Sequence, residues 1–238
     1  MEGVLEIEEV WKSFRGVIAL QGVTLRIDST HRLVGLMGPN GSGKTTLFNV
    51  ITGVYRPDRG DIRLNGRSLV GLAPWDIAAA GLGRTFQIPR VFGDLTVEEN
   101  VLVGSARLTR HARQRANELL ELFDLAPLSR SPARFLSVGQ QKLVELARVL
   151  LQPRSFVLLD EVAAGLHLDL ISRIGKYLKR LAQSGVCLLL VEHNVDFLME
   201  TCSYVYVIDR GRIIAHGAPE EVTSDERVIE TYLGPRVY

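Results

Sequence analysis

The sequence predicts an α/β fold on a mostly parallel sheet, with an antiparallel β part near the N-terminus and an inserted helical subdomain. Three observations carry this. The chain opens in short runs of apolar/polar alternation, closes in wholly apolar runs separated by amphipathic ones, and between them shows helical periodicity without clear strands. Its 238 residues, 46% of them hydrophobic, can bury one large core with a smaller insertion.

"VLEIEEV", "VIALQGVTLRI" and later "DIRLNG" alternate as half-buried antiparallel strands do. "HRLVGLMG" differs, because its apolar run ends directly in a glycine-rich turn. "KTTLFNVITG" then places Leu47, Phe48 and Ile51 at helical spacing with Gly53 as a stop, so this stretch reads strand, loop, helix. Farther on, "TVEENVLVG" offers a capping box of Thr96 and Glu99, and "RHARQRANELLELF" is amphipathic. Residues 88–152 are therefore expected to form a helical subdomain inserted into a core made of 1–87 and 153–238. After it come "SFVLLD", "LDLISRIGKYLKRLAQSG", "VCLLLVEH", "NVDFLMETC", "YVYVI" and "RIIAHG". Apolar strands between amphipathic helices call for a parallel sheet covered on both faces.

Twenty-eight basic against 27 acidic side chains give a net charge of +1, which removes the global positive field typical of nucleic-acid binders. Cys187 and Cys202 sit in apolar stretches and are expected to be buried reduced thiols. "MEGVLEIEEV" is unlike a secretory leader, and the longest clean apolar run, "VCLLLV", is far too short to span a bilayer. Any membrane role is expected to come through a partner.

Gly38-Pro39-Asn40-Gly41-Ser42-Gly43-Lys44-Thr45 matches G-x-x-x-x-G-K-[ST], with the preceding strand and following helix that this phosphate loop requires. Gly38, Gly41 and Gly43 let successive N–H groups turn inward on a polyphosphate, and the helix N-terminus adds positive potential. Lys44 is expected to reach the β- and γ-phosphates of ATP, and the Thr45 hydroxyl to ligate Mg²⁺, with Thr46 extending the nucleotide-binding run. "FVLLDE" sets Asp160 and Glu161 at the carboxyl end of a central strand, the edge where open α/β sheets bind ligands. Alternation aims the two carboxylates differently. Asp160 suits a Mg²⁺ partner, and Glu161 suits the group that orients the attacking water and takes its proton. His193, after "VCLLLVEH", should emerge at the same edge. Alone, a histidine there is more often a satisfied structural residue, and Gln87 in "GRTFQIPR" is anonymous out of context.

With "LSVGQ" lying between "RTFQ" and "FVLLDE", the whole chain resembles the ATP-binding subunit of an ABC transporter, whose signature is LSGGQ. The resemblance implies that Gln87 contacts Mg²⁺ and the attacking water, and that His193 bonds the γ-phosphate and holds Glu161. It puts Phe14 where an aromatic ring stacks on adenine, although Phe14 could instead be ordinary core. It also implies that Ser137, Gly139 and Gln140, at the start of a helix, face the phosphate loop of a second subunit, so that ATP is sandwiched head to tail. Three positions depart from the family pattern. Val138 replaces the first signature glycine, Val162 makes "DEV" of the common "DEP", and His167 stands where the family carries aspartate or asparagine.

"GLGRTFQIPRVFGDLTVEENVLVG", "AAGL", "VEHNVDFLM" and the ending "VIETYLG" resemble ATPases of branched-chain amino-acid importers. That likeness implies integral-membrane permease subunits, a related or identical second ATPase and an external substrate-binding protein, with this chain on the cytoplasmic face of the cell membrane. Lipopolysaccharide-export and urea-import ATPases share parts of the pattern, and a non-transport ABC-type assembly ATPase uses the same sandwich. Nucleic acid is not an expected partner. Arg107, Arg110, Arg113 and Arg115 form the one basic cluster, expected to be a solvated helix face or a lipid-headgroup contact.

Overall fold

The computed structural model describes residues 3–105, 107–152 and 154–233. Gly234, the last residue of "VIETYLG", lies outside them.

The alternating N-terminal runs fold as expected. Strands β1 (Leu5–Phe14) and β2 (Val17–Ile27) pair antiparallel, and β1 also pairs antiparallel with β4 (Arg59–Leu64), which carries the short β5 (Arg67–Ser68) at its edge. The order is β2-β1-β4-β5. Both hairpins turn on two residues with positive φ, Arg15–Gly16 and Asn65–Gly66, the backbone that matches the twist of the flanking strands.

A second sheet of six strands runs β10-β9-β3-β8-β7-β6, built from β3 (Leu33–Met37), β6 (Leu82–Arg84), β7 (Phe156–Asp160), β8 (Cys187–Val191), β9 (Tyr204–Asp209) and β10 (Arg212–Gly217). Its pairs from β9 to β6 are parallel, and β10 returns antiparallel beside β9 through a third turn of this kind at Arg210–Gly211. Strand β6 is not apparent in the sequence, because three residues with a central glycine carry no readable period.

Every residue of β3, β7 and β8 is buried, and side chains alternate between two cores. Phe156, Leu158, Leu189 and Val191 pack with the antiparallel sheet and with Phe48 of α1 (Lys44–Ile51). Val157, Leu159, Leu188 and Leu190 face the other way, toward α5 (Val138–Leu151), α6 (Leu168–Gln183) and α7 (Val195–Thr201). Helices α3 (Val97–Leu102) and α4 (Arg110–Leu122) join this second core through Val101, Leu119 and Leu120. The inserted helices thus share a core with the sheet. The capping box of Thr96 and Glu99 starts α3, as its S/T-x-x-E pattern foretells. A short α2 (Pro74–Ala79) precedes β6, and α8 (Pro219–Ser224) and α9 (Glu226–Leu233) follow β10. Cys187 and Cys202 are buried free thiols, and burial pushes the Cys202 thiol far up.

Candidate functional site

Between β3 and α1 the chain forms a loop that ends at Gly43, the N-cap of α1, with φ 111°. A Cβ there would sit 2.7 Å from the Ala19 carbonyl oxygen, so both backbone and space demand glycine. Lys44 folds back under the loop and donates to the carbonyls of Gly38 (2.6 Å) and Pro39 (2.9 Å). It is only 7% exposed, and burial pulls its pKa down against the opposing pull of Glu161 and Asp160. Loop residues 40–46 line a cavity of about 170 Å³ together with Ala19, Gln87, Glu161 and His193. Larger surface hollows, such as one of about 690 Å³ edged by Arg107, Arg115 and Leu181, hold none of these groups.

Glu161 follows β7 with φ 50°, a left-handed backbone that costs a non-glycine residue about 1–2 kcal/mol. Two bonds hold it: its N–H donates to the Val191 carbonyl (2.9 Å) and its carbonyl accepts from Lys142 Nζ (3.1 Å). The turn sends its carboxylate into the cavity, where Oε1 lies 2.9 Å from His193 Nε2 and accepts from Gln87 Nε2 at 3.1 Å. Three side chains from the ends of β6, β7 and β8 therefore converge, and a histidine and a glutamine anonymous in sequence become ligands of one carboxylate.

Asp160 goes elsewhere, as strand alternation requires. It is 4% exposed, and its Oδ2 has no hydrogen-bond partner among the described residues. Arg84 Nη2 stands 3.7 Å away. Burial raises the Asp160 pKa, and Arg84 opposes the rise. Arg84 also donates to Asn49 Oδ1 and Thr52 Oγ1, both at 2.8 Å, tying α1 to β7. Thr85 Oγ1 accepts from the Asp160 N–H at 2.9 Å. Neither Arg84 nor Thr85 was singled out by sequence reasoning, and their one signal is position in the run "GRTFQ" ahead of Gln87.

Glu192, beside His193, is a further buried carboxyl that no motif announced. Its Oε1 accepts from the Ala163 N–H at 2.8 Å, and burial, reinforced by Glu161 and Asp160, pushes its pKa up to about 7. The folded chain therefore keeps a proton that the unfolded chain releases near pH 4.5, so stability falls as pH rises from there through 7. The whole shift is worth about 3 kcal/mol. Glu192→Gln preserves an oxygen acceptor for Ala163. Its Tm is expected to match the parent near pH 5 and to exceed it by several degrees at pH 8, read by calorimetry. Equal Tm values at both pH values would contradict the assignment.

Ser137 is the N-cap of α5 and closes a capping box: its Oγ accepts from the Gln140 N–H (3.3 Å) and Gln140 Oε1 accepts from the Ser137 N–H (2.9 Å). The side chain of Gln140 is thus engaged in holding the helix end. Ser137 and Val138 are exposed, and Gly139 is half-buried. None of the three lines the phosphate-loop cavity. His167 caps α6 without a side-chain bond, and Val162 is buried in the second core. Phe14 is 38% exposed, unlike ordinary core, and meets the Tyr55 ring edge-on at 5.0 Å. Of the basic cluster, Arg115 departs from the expected solvated face, since it turns inward to Leu150 O (3.3 Å) and Tyr177 Oη (3.4 Å). Arg113 pairs with Glu98 at 3.9 Å.

The family profile described as ABC transporter matches residues 20–164, and one described as branched-chain amino acid ATP-binding cassette transporter matches residues 212–234. The chain is 34% identical over 250 residues to the high-affinity branched-chain amino acid transport ATP-binding protein BraF of Pseudomonas aeruginosa, covering 97% of this chain and 98% of that protein. It is 35% identical over 235 residues to the lipopolysaccharide export system ATP-binding protein LptB of Haemophilus influenzae, covering 97% of each. Among solved structures, a nucleotide-free ATP-binding cassette from an ABC transporter superposes with a TM-score of 0.86 at 32% identity, over 99% of this chain and all of that one. A dimeric post-hydrolysis cassette bound to ADP and Pi superposes with a TM-score of 0.82 at 25% identity, over 90% and 98% of the two chains.

Proposed function

The chain belongs to the ABC transporter family as an ATP-binding, ATP-hydrolysing subunit, and from that premise we propose that it powers import of branched-chain or other hydrophobic amino acids. Cassettes of this family dimerise and work with membrane permease subunits. The observation that carries the cargo is the match of the branched-chain amino acid profile to residues 212–234, which cover β10 and its following helices. Similarity to LptB over nearly the whole chain favours a second reading, lipopolysaccharide export. Purifying the chain with its membrane partner from detergent decides between them: a permease whose reconstituted complex moves radiolabelled leucine supports import, and one that extracts lipopolysaccharide overturns it. None of the described helices is long and apolar enough to cross a membrane. Our reading seats the chain on the cytoplasmic face through that permease, supplied by an external binding protein. Residues 88–152 then form the helical subdomain that meets the permease, set into a nucleotide-binding core of 1–87 and 153–238.

In this reading residues 38–46 cradle the ATP phosphates, with Lys44 on the β- and γ-phosphates and Phe14 against adenine. Thr45 and Gln87 would hold Mg²⁺ with Asp160 in its outer shell, and the buried Asp160 Oδ2, without a hydrogen-bond partner among the described residues and with the Arg84 guanidinium 3.7 Å away, suits that place. Bound Mg²⁺ neutralises charge on the phosphoryl oxygens. Glu161 orients the attacking water and takes its proton, a role worth about 10²- to 10⁴-fold in rate. His193 and Gln87 fix its carboxylate from two sides.

In the same reading the start of α5 completes the phosphate-loop cavity of a second copy. The Ser137 hydroxyl accepts the cap bond on one of its two lone pairs and keeps its proton to donate. With the Gly139 N–H and the positive end of a 14-residue helix it stabilises negative charge on a partner's γ-phosphate. Ser137→Ala in one subunit of a mixed dimer is expected to slow the opposing site about 10-fold or more while its own phosphate loop still turns over. Single-turnover assays with one site at a time disabled read this. Loss confined to the mutated subunit's own loop would refute the trans arrangement.

A further inference from the structure

One face of α5 carries three charged side chains at every third position, Lys142, Glu145 and Arg148. Glu145 is 4% exposed among Leu143, Val144, Leu146 and Ala147, all buried, and no role in the site so far requires it. Its two oxygens do separate jobs. Oε2 accepts from the Phe86 N–H at 2.9 Å and Oε1 from the Arg90 N–H at 3.0 Å. The two donors bracket Gln87, whose amide holds Glu161. One turn toward the N-terminus, Lys142 Nζ donates to the carbonyl of Glu161 itself. One turn the other way, Arg148 Nη2 donates to the Arg90 carbonyl at 2.7 Å. The loop is closed from its own side as well, since the Arg90 and Arg84 guanidinium groups lie over the Phe86 ring at 4.4 Å and 4.7 Å.

We infer that Glu145, assisted by Lys142, is a positioning residue that locks the Gln87 loop and the Glu161 turn to the helix that starts at Ser137. A carboxylate is the residue for this task. It presents two acceptors at a fixed separation, and a buried backbone N–H left unpaired is costly, so the loop cannot leave α5 without exposing two donors. A helix moves as a rigid rod, and its N-terminal end is the part offered to the partner's nucleotide. The clamp therefore makes the geometry of Gln87 and Glu161 in one subunit depend on whether Ser137 of that same subunit is engaged across the dimer. The two ATP sites are coupled through α5 rather than independent. This rests on the trans arrangement above.

Steady-state ATPase of the complete chain against ATP concentration tests it, beside ATP affinity measured with a fluorescent nucleotide on the free protomer. Glu145→Gln keeps shape but replaces one acceptor by an NH₂ that faces a donor. We expect kcat to fall about 10-fold and the Hill coefficient to drop from above 1 in the parent to 1, with ATP affinity unchanged within about twofold. Lys142→Met, at a half-buried position less critical for folding, should shift kcat and Hill coefficient the same way by a smaller factor. Unchanged kcat and Hill coefficient in both variants overturn the clamp. So does a Glu145→Gln protein whose ATP affinity and Tm fall while its Hill coefficient stays at the parental value, because a merely structural glutamate would behave so. If Ser137→Ala impairs the opposing site and Glu145→Gln leaves cooperativity intact, the clamp fails and the sandwich stands.

Discussion

Glu161→Gln is expected to lower ATP turnover by about 10²- to 10⁴-fold while ATP still binds, because it deletes one proton acceptor and little else. The geometry supports so narrow a lesion. Oε1 of Glu161 is the atom that meets both His193 Nε2 and Gln87 Nε2, and a glutamine oxygen can accept both bonds. The left-handed turn is held by the backbone N–H to Val191 and by Lys142 on the carbonyl, neither of which the substitution touches. What disappears is basicity at the end of β7. In the sandwich proposed above, ATP that binds without being cleaved keeps the two subunits together, so light scattering with ATP should show a persistent dimer where the parent returns to monomer. A variant that hydrolyses at the parental rate would remove Glu161 from the chemistry. One that neither binds nor dimerises would mean the carboxylate holds the fold rather than the water.

Much of this site was readable in the sequence because the chemistry sits where strands end. "HRLVGLMG", "SFVLLD" and "VCLLLV" declare buried strands by apolar content, and whatever follows them must surface at one edge of a parallel sheet. That logic delivers Lys44, Glu161 and His193 to one cavity. It fails for groups that act by holding others. Glu145 and Lys142 lie in "QQKLVELARV" and look like ordinary helix charges until the loop bearing Gln87 is packed against them. Arg84 lies in a strand too short to show a period, and its bonds reach α1 and β7 across long stretches of chain. The S-x-x-Q pattern of Ser137 and Gln140 was a legible capping box that the signature resemblance overshadowed. Local rules place a side chain on an edge or a face; only tertiary packing decides what it grips.

Lys44→Ala should abolish useful nucleotide binding without unfolding the protein, and the two halves of that expectation have separate physical grounds. In the free chain Lys44 is buried against the Gly38 and Pro39 carbonyls, and its pKa is pulled below 10.5 by that burial. A cation whose folded pKa is depressed costs stability at neutral pH, a cost relieved only as pH rises from the folded pKa toward the unfolded one. Truncation removes the cost and strands two loop carbonyls, so the unliganded Tm should move by only a few degrees. Binding is another matter. Hydrogen bonds to charged phosphate oxygens are worth about 1.5–3 kcal/mol each, so losing two of them weakens ATP by roughly 100-fold or more. Thermal unfolding with and without ATP reads both halves in one experiment. At a nucleotide concentration 100 times its Kd the parent gains about 2.7 kcal/mol, a rise of several degrees, and Lys44→Ala should gain almost nothing. An equal ATP-induced rise in both proteins would mean that the phosphates are held somewhere other than the loop between β3 and α1.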